Sequence, residues 1–538
     1  MSEQLPAPEE PRIEQASAWE PLRSPTFRML WLVWLASNTC MWMNDVAAAW
    51  VMTSLTTSPM LIALVQTASS LPVFLLGLPS GALADILDRR RYFMVTQFWI
   101  ATNAAALFVV AFFNALTAPV LLVLVFTNGI GLAMRWPVYA AILPEVVPRS
   151  QLGEALALNA VAVNTSRVAG PLLAGAIISS AGDEYVFAVN FVVSILAGIV
   201  LYRWKRETKP SVLPGERFIG AMRLGFQFVR ESRRMRDAIV RTSSFFLHST
   251  VIFALLPLVA KDLGGGAGTF TILLAAMGAG AIATATQLPR LRARWNRDQI
   301  VLGASIANAL GIAVLAFAPN IWVAAPAQFV SGAAWILVAN SVTVAAQLAL
   351  PDWVRARGMA IYQMSIMGGS AFGAAIWGKL AELTSIHVSL AVAAVSMLVA
   401  LAFTRNRKLE GSEDLTPTHP FDEPVPARPV ELDEGPVLVT IEYLIDPARG
   451  AEFDAVMAET RSARLRAGAV SWGLFEDLQQ LGRYVEYFAC DTWADYLRRF
   501  DRFTAADEQL HQRRHALHIA EGAPIISRFV ARHPSTLK

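Results

Sequence analysis

The chain alternates long apolar runs with short turns, and arginines crowd into every second turn. The second run, Met60–Ala84, and the third, Tyr92–Phe113, each reach the roughly 20 residues of helix that cross a bilayer's hydrocarbon core. Between them lies Gly81-Ala-Leu-Ala-Asp85-Ile-Leu-Asp88-Arg89-Arg90-Arg91. A charged turn this short makes the two helices antiparallel neighbours. Lys and Arg in short loops mark the cytoplasmic side. A chain so patterned has few options other than a bundle of membrane-spanning helices.

In order, the first run is Met29–Met52, after Arg23 and Arg28. The turn Thr53–Pro59 carries no Lys or Arg and is expected outside. The fourth to sixth runs, Val120–Ile142, Leu152–Ala181 and Tyr185–Tyr202, keep the alternation, ending on Arg203, Lys205 and Arg206. A basic connector follows, in which Phe218, Met222, Leu224, Phe226 and Val229 fall near helical spacing. It reads as an amphipathic helix on the inner leaflet surface. Six further runs follow between Ala238 and Phe403, with Arg290, Arg292, Arg294 and Arg297 in the loop after the second of them. The basic loop recurs at the equivalent place in each half. This gives an all-α membrane part of about twelve transmembrane helices in two six-helix repeats, both ends inside. Parallel repeats of this kind are a transporter feature, with the site between the halves.

Only 16% of the 538 residues are charged and 55% are hydrophobic, against about 25% charged in soluble domains. The net charge of +3 is no nucleic-acid footprint. Cys40 and Cys490 are the only cysteines and build no disulfide framework. Met1–Glu20 is acidic and Pro-rich, without the basic start of a cleavable signal peptide.

Glu410–Pro436 is polar and Pro-rich, expected extended and mobile. Beyond it, strands are expected at Val437–Tyr443, Ala469–Glu476, Tyr484–Cys490 and Pro524–Val530, with helices at Arg449–Arg466 and Thr492–His518. The order β-α-β-β-α-β is that of a ferredoxin-like α+β unit. The expected divisions are therefore a cytoplasmic segment 1–27, a six-helix bundle 28–203, a connector 204–237, a second bundle 238–404, a linker 405–436 and a cytoplasmic domain 437–535.

Gly81, Asp85, Arg89, Arg90 and Arg91 fit the signature between the second and third helices of the major facilitator superfamily, which the membrane part resembles. Ile86 and Asp88 depart from it. Trp42–Trp50, Gln66–Pro72 and Gly129–Pro137 resemble bacterial exporters that include the enterobactin exporters. Gly468–Asp477 and Tyr484–Glu486 resemble the dimeric α+β-barrel domain of antibiotic-biosynthesis monooxygenases, which implies a fold rather than an activity, and self-association through that domain.

Ionisable groups inside membrane helices are functional candidates by default. Asp45, Arg135 and Arg167 are the three that stand out. Asp45 and Arg167 differ in depth by about 8 Å, a span an arginine can bridge. Their pair would serve proton coupling, or else fix helix packing. Gly170, Pro171 and Gly175 on the fifth helix resemble the antiporter motif of drug exporters, with generic small-residue packing as the alternative. The superfamily's fourth-helix arginine is replaced by Val125. His248 is expected as a packed, hydrogen-bonded histidine. Polar cavity candidates are Asn38, Asn44, Gln66, Asn159, Asn164, Gln328, Asn340 and Gln363. His511, His515 and His518 stand at i, i+4 and i+7, expected as a solvated helix face rather than a metal site.

In the resembled family the Asp85 carboxylate sits near the start of the eleventh helix, here expected at Asp352–Met359, while Arg89 bridges to Glu145. Both contacts are expected only with the cytoplasmic side closed. The reading is a proton-coupled exporter of a small amphipathic molecule in a bacterial inner membrane, without cofactor or metal. Its rivals are an uptake symporter and a transporter fused to a cofactor-independent monooxygenase.

Overall fold

The structure is a computed structural model. It describes residues 19–148, 151–206, 218–351, 353–410, 414–418, 420–421 and 425–532, and only the backbone at 82, 85, 86, 218, 219 and 221. The first half holds α1 (Pro25–Leu55), α2 (Pro59–Ile86), α3 (Arg89–Phe112), α4 (Ala118–Val146), α5 (Leu152–Ser180) and α6 (Glu184–Arg203). The second holds α8 (Arg233–Asp262), α9 (Ala267–Arg294), α10 (Arg297–Ala316), α11 (Ile321–Leu348), α12 (Arg355–Leu383) and α13 (Ile386–Thr404), with the connector helix α7 (Phe218–Glu231) between the halves.

Among the described residues, eleven of these helices are long and apolar enough to cross a membrane. The exceptions are the short connector α7 and α1, which at 31 residues is long enough. Ser37, Asn38, Thr39, Asn44 and Asp45 dilute its apolar character. It is shielded instead by packing on α5, α6 and α2.

Side-chain caps start most of the spans. Ser24 accepts from the Phe27 N–H and Ser58 from the Leu61 N–H, each with proline opening the helix behind it. Asn296 and Gln299 cap α10 reciprocally. Because Asn296 starts α10, the arginines at 290, 292 and 294 belong to the last turns of α9, not to a loop as expected. Cations there face the negative end of the helix dipole.

One apolar core runs through both halves, including Val51, Ile62 and Ala174 from the first and Val251, Phe270 and Ile312 from the second. The halves meet chiefly where α2 lies along α12 and where α5 lies along α9.

The connector helix is not on open leaflet surface. It is wedged between the bundle and the C-terminal part, against α12 on one side and α14 (Gly450–Arg466) on the other. Leu224, Phe228 and Val229 are buried, and Phe228 meets Trp353 edge-on with ring centres 5.7 Å apart. The amphipathic pattern was legible, but a protein surface covers it.

The C-terminal part is a four-stranded antiparallel sheet of β1 (Val437–Leu444), β2 (Ser471–Glu476), β3 (Arg483–Cys490) and β4 (Ile525–Val530), in the order β2-β3-β1-β4. α14, α15 (Trp493–Asp501) and α16 (Ala505–His515) cover one face, over Val437, Val439, Ile441 and Phe488. The single helix expected over Thr492–His518 is two. Thr504 caps a fresh start in a capping box with Asp507, and residues 502–504 turn the chain.

The Pro-rich linker is laid down on this domain where it is described, against the expectation of a mobile segment. Ala505 and Ala506 donate their N–H groups to Thr416 and Asp414, and Trp493 and Ala494 donate to Glu434 and Leu432. Proline-rich chain that cannot pair with itself still offers carbonyls, and the helix starts use them.

Candidate transport site and its gate

Asp45 accepts a hydrogen bond from the Ser69 hydroxyl of α2 at 3.0 Å. Arg167 lies 5.7 Å from the Trp42 ring centre, and its Nε has no hydrogen-bond partner. No ion pair joins the two residues, so the expected pairing is absent in this conformation. Arg135 is fully buried and serves α1. It donates to the Ser37 carbonyl at 3.1 Å and the Asn38 side chain at 3.2 Å, beneath the Trp34 ring. A guanidinium matched by backbone and amide oxygens fixes the α1–α4 crossing, and the sequence alone could not name those partners.

The other polar candidates divide. Asn38 donates to the Trp34 carbonyl of its own helix besides accepting from Arg135, Gln66 bonds within its own helix, and Asn44 meets Asn190 of α6. Gln328 is fully buried with both amide atoms unsatisfied, and the Asn159 carbonyl oxygen is also unsatisfied. Asn340 accepts from Arg292 at 2.7 Å. His248 is packed beside Trp377 and donates from Nδ1 to the Ser244 carbonyl at 2.6 Å. Gln363 is half-buried.

The small-residue motif of α5 has two distinct faces. A Cβ at Gly170 would lie 2.5 Å from the Trp42 Cβ and 3.0 Å from the Thr39 carbonyl of α1. Pro171 is buried beside it. A Cβ at Gly175 would instead strike Thr271 of α9, across the halves. The α2–α12 seam is built the same way. A Cβ at Gly368 would lie 2.7 Å from the Phe74 ring, and one at Gly77 2.8 Å from Met364. Small residues let helix backbones approach where lipid supplies no hydrophobic drive. Those in the second half carried no recognised motif and were missed.

The two ends of the bundle differ. Opposite the arginine turns the halves are tied. Lys261 donates to the Thr53 carbonyl, Trp50 stacks on Phe270 at 5.6 Å, and Ser58 donates to Glu382 at 2.8 Å. Towards the arginine end, Asn164 and Thr165 of α5 and Thr286 and Gln287 of α9 are exposed. Polar side chains on two helices that pair across the halves suit water between them better than lipid.

At the arginine end itself, Arg89 donates to Glu145 at 2.7 Å and to the Ala141 carbonyl. Arg206 makes two bonds to the same Glu145, at 2.7 and 2.8 Å, and reaches Asp88 at 3.2 Å. Arg90 donates to the Leu201 carbonyl, and Asp88 caps the Arg91 N–H. Gly81 faces Pro137 of α4, with Cβ space of 4.0 Å. The Arg89–Glu145 bridge therefore forms, but it joins α3 to α4 within one half. It does not require the halves to close there, as the sequence reading supposed. Its third member, Arg206, had been read only as a topology marker. The Asp85 side chain and residue 352 lie outside the description. The second half has a comparable tie, in which Arg241 pairs with Asp298 and Arg407 with Asp237 at 2.9 Å.

Among the described residues, twelve long helices packed across close glycine contacts, eleven of them apolar enough to cross a membrane, define a polytopic membrane protein. The chain matches the model of the transmembrane secretion effector family over residues 16–536. It belongs to that family, within the major facilitator superfamily.

Its similarity to macrolide efflux protein A of Streptococcus pyogenes is 24% over 226 residues, 41% of this chain and 55% of that protein. The chain thus spans about half the length of that relative. The multidrug efflux pump Tap of Mycolicibacterium fortuitum is 25% identical over 68% of this chain and 92% of its own length. The staphyloferrin A transporter of Staphylococcus aureus (strain NCTC 8325 / PS 47) is 25% identical over 26% of this chain and 35% of its own. Among solved structures, a POT family transporter aligns with a TM-score of 0.59 at 11% identity, over 70% of this chain and 95% of its own. The nucleoside transporter NupG gives 0.56 at 12%, over 71% and 99%. At such identity these two share the fold alone.

Proposed function

We propose that the protein exports a small amphipathic molecule, drug-like or siderophore-like, in exchange for protons. The halves rock about the α2–α12 and α5–α9 seams and expose a site between them alternately to either side. The observation that carries this reading is the asymmetry of the ends, tied opposite the arginine turns and carrying exposed polar side chains on α5 and α9 towards them. The names of the macrolide efflux and multidrug efflux relatives favour export. A transport assay in inside-out vesicles, with a compound panel and an imposed pH gradient, tests it. Uptake of every transported compound in the direction of the proton flow would mean symport instead.

We read the arginine turns and both termini as cytoplasmic, with the protein in the inner membrane of a bacterial cell. A cysteine at Ser58, in a background lacking Cys40 and Cys490, should react with an impermeant thiol reagent from outside, and one at Asp88 should not. The reverse labelling would overturn the orientation.

Asp45 is assigned the exchangeable proton. It is a carboxylate in a membrane helix whose hydrogen-bond partner is a neutral hydroxyl. Asp45→Asn should abolish the transport driven by the pH gradient and leave expression and thermal midpoint unchanged. A wild-type rate and pH profile in that variant removes Asp45 from the mechanism.

The C-terminal domain is read as a ferredoxin-like unit of the dimeric α+β-barrel kind, which would associate through its uncovered sheet face. The strand order β2-β3-β1-β4 and exposed Leu438, Phe475 and Phe529 support this.

A further inference from the structure

Between the sheet and the helices of the C-terminal domain lies a cavity of about 530 Å³. Its floor is β1, β4 and Phe488, its walls are α14, α15 and α16, and Phe421 of the linker lies edge-on to His511 above it. The size suits a drug-sized ligand. Here the three histidines are corrected. α16 ends at His515, and His518 lies beyond it, accepting from the Leu444 N–H. His511 is half-buried and lines the cavity, whereas His515, at its edge, is exposed as expected.

Most of the lining is apolar, and its charges do not balance. Arg464 is spent on Glu486, which it meets at 2.9 Å, while the Trp472 and Tyr443 side chains occupy the rest of that carboxylate. Asp507 is engaged in capping α16. Arg528, exposed at the edge, donates to the Tyr496 hydroxyl, and two buried cations remain, Arg499 and Arg514, 8% and 4% exposed. The Arg499 guanidinium lies 3.9 Å from the Phe488 ring centre and meets only the Cys490 sulfur, at 3.8 Å. Arg514 donates to Thr460 at 3.0 Å and faces His511 at 3.3 Å. Burial and then Arg514 hold the His511 imidazole at about 4, so at neutral pH it adds no charge. The Nε of Arg499 and of Arg514 has no hydrogen-bond partner, and among the described residues no carboxylate makes a salt bridge to either, although Glu486 and Asp507 act on Arg514 at longer range.

Buried cations without a counter-ion are costly, and proteins keep them where something else supplies the charge. We propose that this cavity binds an amphipathic organic anion, of the aromatic carboxylic acid class. Its carboxylate sits on Arg499 and Arg514, a match that guanidinium groups make well. Its ring lies against Phe488 and Phe500. The site is separate from the route between the membrane halves, and it stands whether or not the export reading does.

The test is calorimetric titration of the full chain in lipid nanodiscs, with empty nanodiscs as baseline. The probes are 2-naphthoate, 2-naphthalenemethanol and inorganic phosphate. 2-Naphthoate should saturate one site per chain, with the alcohol and phosphate weaker by about tenfold or more, since a hydrogen-bonded charge and the ring contacts both contribute. Arg499→Leu and Arg514→Leu should each weaken 2-naphthoate by about tenfold or more. Three results overturn the proposal: no saturable 2-naphthoate binding, equal affinity for the alcohol or for phosphate, or unchanged affinity in both variants. Should a variant fail to give a monodisperse size-exclusion peak, the comparison of acid with alcohol and phosphate on the unaltered chain decides.

Discussion

Gly170→Leu is expected to leave no folded transporter in the membrane. The new Cβ would fall 2.5 Å from the Trp42 Cβ, 3.0 Å from the Thr39 carbonyl and 3.3 Å from the Met43 nitrogen. Two of those are backbone atoms of α1, so no rotamer change makes room. The helices must part, and with them go the bonds of Ser166 to Thr39 at 3.1 Å and to the Leu35 carbonyl. Overpacking of side chains alone costs about 1–3 kcal/mol, and a clash with backbone exceeds the upper figure. Gly153→Leu on the same helix is the control, since nothing lies within 4 Å of that Cβ position. Size-exclusion profiles and thermal midpoints read the outcome. A wild-type midpoint in Gly170→Leu would refute the close α1–α5 crossing.

Glu486→Leu should destabilise the C-terminal domain by about 3–5 kcal/mol, the usual result of stripping a buried cation of its partner. Arg464 would be left facing a leucine, and the Trp472 N–H and Tyr443 hydroxyl would lose their acceptor. Adding Arg464→Leu should recover much of the loss, because the uncompensated charge goes with it. Hydrogen exchange of β1 and β3 in the full chain reports the change, and unaltered protection in Glu486→Leu would discount the pair. The same carboxyl carries a pH dependence. Burial alone would raise its pKa, but Arg464, with Arg514 and the Trp472 hydrogen bond, outweighs burial and holds it at about 2, below the ordinary 4.5. Its contribution, about 3 kcal/mol, is complete above pH 4.5 and drains away as the pH falls towards 2. Protection of the domain should fall across that window in wild type and much less in the double variant.

Several features of the gate were legible from residue spacing. The Gly81–Arg91 turn, through the family signature it resembles, pointed to Arg89 and Glu145. The Gly170–Gly175 motif was visible as small residues, yet not that one glycine faces α1 and the other α9. A helix's period says which residues share a face, while the neighbour that face meets depends on how the whole bundle packs. Asp45 and Arg167 show the same limit. Their depths matched within reach of an arginine, but rotation about the helix axes sends one to Ser69 and the other to Trp42.

The sequence by itself pointed to a succession of long apolar helices joined by short turns and to a C-terminal stretch of alternating strands. Hydrocarbon admits only helices that satisfy their own backbone, and each strand's alternation must match one buried face. Those constraints act within a single segment and can be read there. Tertiary structure alone decided that α7 is clasped between the bundle and the domain, that the Pro-rich linker lies down on α15 and α16, and that Arg499 and Arg514 converge on one cavity. Each of these depends on surfaces far apart in the chain finding one another, and no local pattern of residues encodes which of the available surfaces they will be.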